Sequence, residues 1–225
     1  MKPYYQDDWA TIYHGDCREI LPTLDKVDAL VTDPPWGLGE LSGTTSKARA
    51  RNSYASHDDT EEFVVDVVVP SVVVALGLCK GRGLVASGCR CMWLYPRPRA
   101  VGGFYQPAAV GMSPWGFAGY NPVLFYGKDP RDGKGQSSVM TSLTQRASTT
   151  EHPCAKPEKA MLWMANKASV EGETILDPFM GSGTTLRAAK DLNRHSIGIE
   201  IEEKYCEIAA KRLQQEVFDF SGAVG

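Results

Sequence analysis

The segment Ile175–Thr185 reads as a short apolar strand, a glycine turn and the start of a helix. Its sequence is Ile-Leu-Asp-Pro-Phe-Met-Gly-Ser-Gly-Thr-Thr. Glycines in such a turn let a ligand approach the backbone, and the start of the helix offers free N–H groups. Glu200 ends the next apolar stretch, about 20 positions after Gly181, a spacing at which an acid binds ribose hydroxyls in nucleotide-binding folds. The combination predicts an α/β fold that holds a nucleotide-like ligand.

Segments that favour strands alternate along the chain with segments that favour helices. Strands are predicted at residues 11–16, 29–32, 83–86, 123–126, 174–176 and 195–199, and helices at 17–24, 184–192 and 203–215. Residues 61–78 fit either type, because their valines favour a strand while their length and opening acids favour a helix that Pro70 kinks. The alternation indicates an α/β domain with a mostly parallel sheet. The 42 residues after Gly183 have room for only a helix, a strand and another helix. The other strands must therefore lie upstream, and we expect a strand order that is circularly permuted relative to an ordinary Rossmann fold.

Length and composition predict a single domain over residues 1–225. The chain has 225 residues, of which 43% are hydrophobic and 23% charged, an ordinary globular composition. No basic flank and apolar run open the sequence, so we expect a cytoplasmic protein without a membrane partner. The six cysteines form no CxxC pair, and no metal site is expected. Residues 37–59 and 128–150 are rich in Gly, Ser, Thr and basic side chains and are predicted to be recognition loops.

Charge is distributed unevenly along the chain. The net charge is −3, yet residues 67–150 contain nine Lys or Arg against two acids. One electropositive face would be the electrostatic footprint of a polyanionic partner. Solvated loops that never converge in space would give the same count, so both interpretations stay open.

Four acids end or follow predicted strands: Asp16, Asp33, Asp177 and Glu200. In an open α/β sheet, ligands bind at the carboxyl ends of the strands, where these acids would repel a pyrophosphate. They would suit a ligand that has a ribose and a cationic end, and S-adenosylmethionine (SAM) has both. A phosphate-binding loop is excluded because no Gly-Lys-Ser/Thr follows the turn, and Leu186 disfavours a dinucleotide fold. Helix capping is the alternative role for such acids, above all for Asp16.

The tetrapeptide Asp33-Pro34-Pro35-Trp36 follows one of these strands. Pro35 restricts the residue before it, so the carbonyl of Pro34 is held in place. The Asp33 carboxylate and that carbonyl can accept two hydrogen bonds from one NH₂ group, while Trp36 offers a flat face for stacking. Two preorganised acceptors would stabilise the positive charge that develops when such an amine is methylated. A Pro-Pro turn with a buried Trp is the structural alternative.

In this order the motifs resemble those of the beta-type amino-methyltransferases of DNA, which occur in restriction–modification systems and phages. Asp33–Trp36 is similar to their catalytic tetrapeptide, and Asp177–Thr185 to their cofactor loop with its ribose acid at Glu200. His152–Pro157 matches the HPxxKP element, and Tyr120–Lys128 resembles the strand that borders the target base. The resemblance covers most of the chain. It implies a Rossmann-like SAM-dependent methyltransferase fold, circularly permuted, with one antiparallel edge region.

Residues and resemblance together define the expected site. The catalytic residues are expected to be Asp33, Pro34, Pro35 and Trp36. Residues expected to bind the cofactor are Asp16, Cys17, Asp33, His152, Lys156, Asp177, Pro178, Phe179, Gly181, Ser182, Gly183, Thr184, Thr185 and Glu200. A helix-entry turn would equally explain His152 and Lys156.

The resemblance implies methyl transfer from SAM to N6 of an adenine that is rotated out of double-stranded DNA. An initial Asp in the tetrapeptide is typical of N6-adenine enzymes, and an initial Ser is typical of N4-cytosine enzymes. The alternatives are N4-cytosine methylation, an RNA substrate, a non-catalytic nucleic-acid-binding module on the same fold and, more distantly, a nicotinamide oxidoreductase. The loops at 37–59 and 128–150 are expected to recognise the target DNA, and a homodimer stays open.

Overall fold

The computed structural model describes residues 1–37, 59–105, 112–113, 116–117, 119–133, 137–141 and 158–215. A nine-stranded sheet in the order β1-β2-β11-β10-β3-β4-β8-β5-β9 forms the middle layer. The strands are β1 Tyr5–Gln6, β2 Ala10–His14, β3 Ala29–Thr32, β4 Gly83–Ala86, β5 Ala100–Tyr105, β8 Tyr120–Tyr126, β9 Val139–Thr141, β10 Thr174–Asp177 and β11 His195–Glu200. A separate ribbon pairs β6 Met112–Ser113 with β7 Gly116–Phe117.

The centre of the sheet is parallel, from β2 through β11, β10 and β3 to β4. Antiparallel pairs lie towards the two ends, where β1 joins β2 and β8 inserts between β4 and β5. The glycine-turn strand β10 sits between β11, which follows it in the chain, and β3, which precedes it by far. This order confirms the permuted, Rossmann-like α/β fold with a mostly parallel sheet.

Seven α-helical segments occur within the described residues. They are α1 Cys17–Ile20, α2 Glu61–Phe63, α3 Val69–Leu78, α4 Gly88–Cys91, α5 Glu158–Ala168, α6 Thr184–Asp191 and α7 Glu203–Gln214. Short 3₁₀ turns at Leu21–Thr23 and Met92–Leu94 extend α1 and α4. None of the helices in these described ranges combines the length and the apolar composition that crossing a bilayer requires.

Helices cover both faces of the sheet and bury two main cores. The valine-rich helix α3 packs with α1 over one face, around Leu30, Val85 and Leu176. On the other face α5 and α6 pack over Val31 and Ile175. Such burial of alternate strand residues on both faces explains why the central strands are continuously apolar. The two cores fix the sheet and so fix its carboxyl edge, where the parallel strands end.

Residues 61–78 are helical, but the predicted kink at Pro70 takes another form. A π turn over Val64–Val68 separates α2 from α3, and Pro70 lies in the first turn of α3. A proline lacks an N–H and its ring crowds the carbonyl of the preceding turn. The widened π turn comes just before it and relieves both problems. Thr60 caps the start, because its hydroxyl accepts a hydrogen bond from the Phe63 N–H.

Strand β5 was not predicted from its sequence, because Gly102 and Gly103 weaken its strand pattern. The structure shows why they are glycines. A Cβ at Gly102 would strike the carbonyl of Ser138, and one at Gly103 would lie 2.6 Å from the Tyr120 ring. The strands and helices that the sequence did predict are confirmed, with shifts of a few residues at their ends. Among the strands, the largest shift is at β8, which begins three residues earlier than expected.

Candidate active site

Four adjacent parallel strands end in or next to an acid at the carboxyl edge of the sheet. Asp16 follows β2, Glu200 ends β11, Asp177 ends β10 and Asp33 follows β3, and these strands are neighbours in this order. We call residues Asp16, Glu200, Asp177 and Asp33 the acidic half of the edge. The topology therefore brings together the acids that the sequence analysis singled out.

Asp177 is the buried centre of the acidic half. It is 1% exposed, and its Oδ1 accepts hydrogen bonds from the Thr32 hydroxyl at 2.7 Å and the Phe179 N–H at 3.1 Å. Burial raises the pKa of Asp177 to about 6; hydrogen bonds from Thr185, Thr32 and Phe179 oppose the rise, and the Asp33 charge adds to it. Since Thr32 directly precedes Asp33, this bond joins the base of the tetrapeptide to the base of the glycine turn.

Glu200 holds the glycine turn from the other side. Its carboxylate accepts hydrogen bonds from the Gly181 N–H at 3.0 Å and the Glu202 N–H at 2.8 Å. Burial raises its pKa to about 7; these two bonds oppose the rise, and the charges of Glu202 and Asp177 add to it. The Glu200 carboxylate therefore shapes the turn itself, in addition to the ribose contact expected from the sequence.

The glycine turn closes onto the start of α6. Gly183 has φ +75°, and a Cβ there would lie 2.7 Å from the Cβ of Ala209 in α7. Only glycine meets both requirements without strain. The predicted residues Ser182, Thr184 and Thr185 are buried here, and the Thr184 hydroxyl accepts a 2.6 Å hydrogen bond from Arg212. Ala209 and Arg212 support the turn from α7, and no local sequence pattern signals this.

Asp16 and Cys17 have structural partners. The Asp16 carboxylate caps α1 by accepting from the Arg18 N–H at 2.8 Å, and it forms an ion pair with the Arg18 guanidinium. This hydrogen-bonded guanidinium lowers the pKa of Asp16. Cys17 is 7% exposed and its Sγ lies 3.4 Å from the Ser71 hydroxyl within the core. The capping alternative for Asp16 is therefore realised, at the outer end of the acidic half.

The tetrapeptide begins at Asp33, the last acid of the acidic half, and its Trp36 is anchored in place. Its indole N–H donates to the carbonyl of Ala86 at the end of β4, at 2.9 Å. A Cβ at Gly88, where φ is +65°, would lie 2.9 Å from the indole ring. The carbonyl of Trp36 accepts a hydrogen bond from the Cys91 thiol at 3.1 Å. Trp36 as a whole is half-buried.

Trp36 and Phe179 lie at the same edge of the sheet. Each follows one of two hydrogen-bonded parallel strands, β3 and β10. Their rings lean on opposite faces, because Trp36 packs against the core under α5 and Phe179 against the core under α3. The two aromatic residues therefore follow neighbouring strand ends, one against each face of the sheet.

The remaining half of the edge carries aromatic side chains. Trp93, which follows β4 in the chain, is 81% exposed. Tyr105, the last residue of β5, is 46% exposed, and Tyr120, the first residue of β8, is 40% exposed. Tyr105 and Tyr120 are paired across the two strands, and the Tyr120 hydroxyl donates to the carbonyl of Gly102 at 2.6 Å. We call Trp93, Tyr105 and Tyr120 the aromatic half. Sequence reasoning did not single out Trp93 or Tyr105, because exposure is not visible in a sequence pattern.

Some predicted residues lie outside the described residues. These are His152 and Lys156, most of the 37–59 loop and parts of the 128–150 loop. The two ends of the first loop are described, and they are joined, because the Gly37 N–H donates to the Asp59 carboxylate at 2.6 Å. This loop therefore leaves and re-enters the fold next to the tetrapeptide.

The acidic half fits a nucleoside with a cationic end. Asp177 is buried and Glu200 half-buried, and the pKa of both is raised. A positive charge beside them would lower these pKa values and favour the ionised carboxylates. The left-handed glycine turn leaves room for a ligand against the backbone. Half-buried Phe179 offers an apolar surface beside the carboxylates. These features match a SAM-type ligand and disfavour a pyrophosphate.

The fold and these sites define a methyltransferase of the class that modifies amino groups in DNA. A family profile described as DNA methylase, of the N6/N4 methyltransferase type, matches residues 119–211. The chain is 45% identical to the type II methyltransferase M2.DpnII of Streptococcus pneumoniae, over 96% of this chain and 93% of that protein. The chain belongs to this family of SAM-dependent DNA methyltransferases.

Solved structures share the fold. The PvuII DNA methyltransferase, described as cytosine-N4-specific, superposes with a TM-score of 0.69 at 17% identity, over 96% of this chain and 90% of that one. The M1.HpyAVI–SAM complex superposes with a TM-score of 0.60 at 21% identity, over 91% of this chain and all of that one. At these identities the likeness concerns the fold.

Proposed function

We propose that this protein transfers a methyl group from SAM to N6 of an adenine in double-stranded DNA. The observation that carries the proposal is the 2.7 Å hydrogen bond from Thr32 to Asp177. It couples the proline-stiffened tetrapeptide to the glycine turn on the neighbouring strand. An amino group held by Asp33 would therefore lie beside a ligand held by the turn.

The acidic half and the glycine turn would hold the cofactor. Glu200 has acceptor capacity beyond its two backbone bonds for ribose hydroxyls, and Asp177 with Pro178 and Phe179 forms the wall between ribose and tetrapeptide. Gly181, Ser182, Gly183, Thr184 and Thr185 would line the floor. When bound, SAM supplies an electrophilic methyl group on its sulfonium. Four further residues remain proposed to bind the cofactor: Asp16, Cys17, His152 and Lys156. Asp16 would contribute by capping α1 and so holding the start of that helix at the site.

The tetrapeptide would position and activate the amine. The Asp33 carboxylate and the Pro34 carbonyl accept its two N–H bonds and so draw the nitrogen towards tetrahedral geometry. The negative charge of Asp33 stabilises the positive charge that develops on the nitrogen, and its fixed orientation requires no rearrangement during the reaction. Trp36, held by Ala86, Gly88 and Cys91, would stack on the base.

We propose that the target base leaves the duplex to reach this site, because its amino group is inaccessible in the base stack. Residues 37–59 and 128–150 would recognise the surrounding DNA as loops on a single domain of 225 residues. The joined ends of the first loop beside Trp36 support that role. The protein would act in the cytoplasm, where DNA and SAM are both available, and a homodimer is compatible with this function.

Adenine is proposed because the tetrapeptide begins with Asp33 instead of a serine. The test is to incubate the purified protein with duplex DNA and labelled SAM, digest the DNA to nucleosides and weigh them. The expected product is N6-methyldeoxyadenosine. Detection of N4-methyldeoxycytidine instead would show that cytosine, and not adenine, is the target. The absence of any methylated nucleoside would contradict the proposed activity. Equal methylation of competing RNA would contradict the choice of DNA.

A further inference from the structure

Trp93 is exposed to an extent that packing does not explain. At 81% exposure it is the most exposed large hydrophobic side chain among the described residues, and its neighbour Leu94 is 37% exposed. The residues before and after this exposed pair are held by the core, because Met92 packs against the core and Tyr95 is 6% exposed. The 3₁₀ turn Met92–Leu94 therefore presents the indole outward from a rigid base.

This base is attached directly to the tetrapeptide. Cys91, two residues before Trp93, donates its thiol hydrogen to the Trp36 carbonyl at 3.1 Å. Its Sγ would also lie 3.1 Å from a Cβ placed on Gly37. Arg90 forms a 2.9 Å ion pair with Glu61, whose backbone lies against Gly37. The helix Gly88–Cys91, which leads into the 3₁₀ turn of Trp93, is thus fixed relative to the proposed base pocket by contacts of Arg90 and Cys91.

The surroundings of Trp93 suit nucleic acid. Arg97 follows it in the chain and is exposed, on the segment of the sequence that carries most of the excess positive charge, whereas Arg90 is paired with Glu61. Exposed aromatic rings next to basic side chains stack on bases while the cations meet phosphates. Tyr105 and Tyr120 lie at the carboxyl edge that holds the proposed target site, and Trp93 is connected to that site through Cys91, two residues before it.

We infer that Trp93 stacks on the DNA base pair next to the extruded target and so stabilises the open duplex. This inference rests on the proposed function, because it assumes that a base leaves the helix. Extrusion breaks base stacking on both sides of the target. An indole placed against the exposed neighbouring pair would replace part of that lost stacking. Trp93 would then be a positioning residue for the substrate, separate from the cofactor site.

The test compares Trp93→Ala, Trp93→Phe and the wild type on two substrates. One is the fully paired duplex, and in the other the target base lies opposite an abasic site, so that it is already unpaired. We expect Trp93→Ala to lower kcat/KM on the paired duplex roughly tenfold to a hundredfold. The loss should shrink to severalfold on the abasic substrate, Trp93→Phe should recover much of the rate, and SAM affinity should not change. Fluorescence of 2-aminopurine at the target position should rise less with Trp93→Ala than with wild type.

Val74→Ala is the matched control, because Val74 is 46% exposed on α3, away from the carboxyl edge. It should behave as wild type in each assay. An unchanged rate for Trp93→Ala, or an equal loss on both substrates, would overturn the inference while an active wild type leaves the proposed function standing. An inactive wild type would instead overturn the proposed function. If Trp93→Ala lowers the sedimenting mass of the protein without DNA, the surface belongs to a second copy of this chain and the inference is wrong.

Discussion

The two halves of the carboxyl edge differ in chemistry although they belong to one sheet. The acidic half lies on four parallel strands, and its central carboxylates, buried Asp177 and half-buried Glu200, accept hydrogen bonds from the backbone. The aromatic half lies where β8 runs antiparallel between β4 and β5, and its rings are 40% to 81% exposed. Buried charge suits a small cationic ligand that is enclosed, whereas exposed rings suit a large partner that arrives from solvent. The tetrapeptide lies at the junction, where a methyl group can pass from one to the other.

Asp33→Ala tests the junction and should have the largest effect. Loss of its carboxylate removes one of two acceptors for the amine and the charge that stabilises the reaction, so methylation of DNA should fall about a thousandfold. SAM binding by calorimetry should stay within severalfold of wild type, since the turn and Glu200 are unchanged. Asp66→Ala, an exposed aspartate on the π turn, is the control and should keep full activity. An Asp33→Ala protein that methylates normally would contradict the catalytic assignment.

Glu200→Gln tests the acidic half alone. A glutamine can accept from only one of the two N–H groups that Glu200 now binds, and its NH₂ would face the other. We expect SAM affinity to weaken by about tenfold to a hundredfold, at the scale of a lost charge-assisted hydrogen bond. Calorimetric titration measures it, with exposed Glu203→Gln as the control. If the two variants bind SAM equally well, Glu200 has no role in cofactor binding.

The raised pKa values of the acidic half predict how stability depends on pH. Asp177 and Glu200 have pKa values near 6 and 7 in the folded protein, above their ordinary values of 3.8 and 4.5. Between about pH 4 and pH 7 the folded state therefore binds more protons than the unfolded chain. The free energy of unfolding that these two carboxyl groups contribute is highest below this range and is lost as the pH rises through it. For Glu200, a rise from 4.5 to about 7 corresponds to a loss on the order of 3 kcal/mol. Thermal melts without SAM from pH 4.5 to 8 should show a smaller decline for Glu200→Gln than for wild type; parallel curves would contradict the pKa shift.

Gly88→Ala tests the support of Trp36 in the tetrapeptide and should have the smallest effect. The new Cβ would lie 2.9 Å from the Trp36 ring and must displace it. We expect the methylation rate to fall about tenfold, as a misplaced contact would cause, with SAM binding unchanged. Gly172→Ala is the matched control, because Gly172 has φ +79° with open space around it, so that only the backbone strain is shared. Equal rates for both variants would mean that the Trp36 position does not matter.

Much of the acidic half could be predicted from the sequence. Strand, glycine turn and helix are local patterns, and each acid stands at the end of a recognisable apolar run, so Asp33, Asp177 and Glu200 could be assigned to one edge by the rule that parallel strands end together. Asp16 shows the limit of that reasoning, since its partner Arg18 could not be distinguished from a solvated side chain. Trp93 shows it more strongly, because its neighbours in the sequence are equally apolar and only packing decides which of them is buried.

By itself the amino-acid sequence determined the chemistry of this protein: which residues carry charge, where the backbone can turn, and that a proline-stiffened acceptor pair and a glycine turn both follow strands. Only the tertiary structure decided their partners. Thr32 and Asp177 are 145 positions apart and meet because β3 and β10 are neighbours in the sheet. Strand order depends on how distant apolar faces pack together. That packing is a property of the whole chain, and so no local pattern contains it.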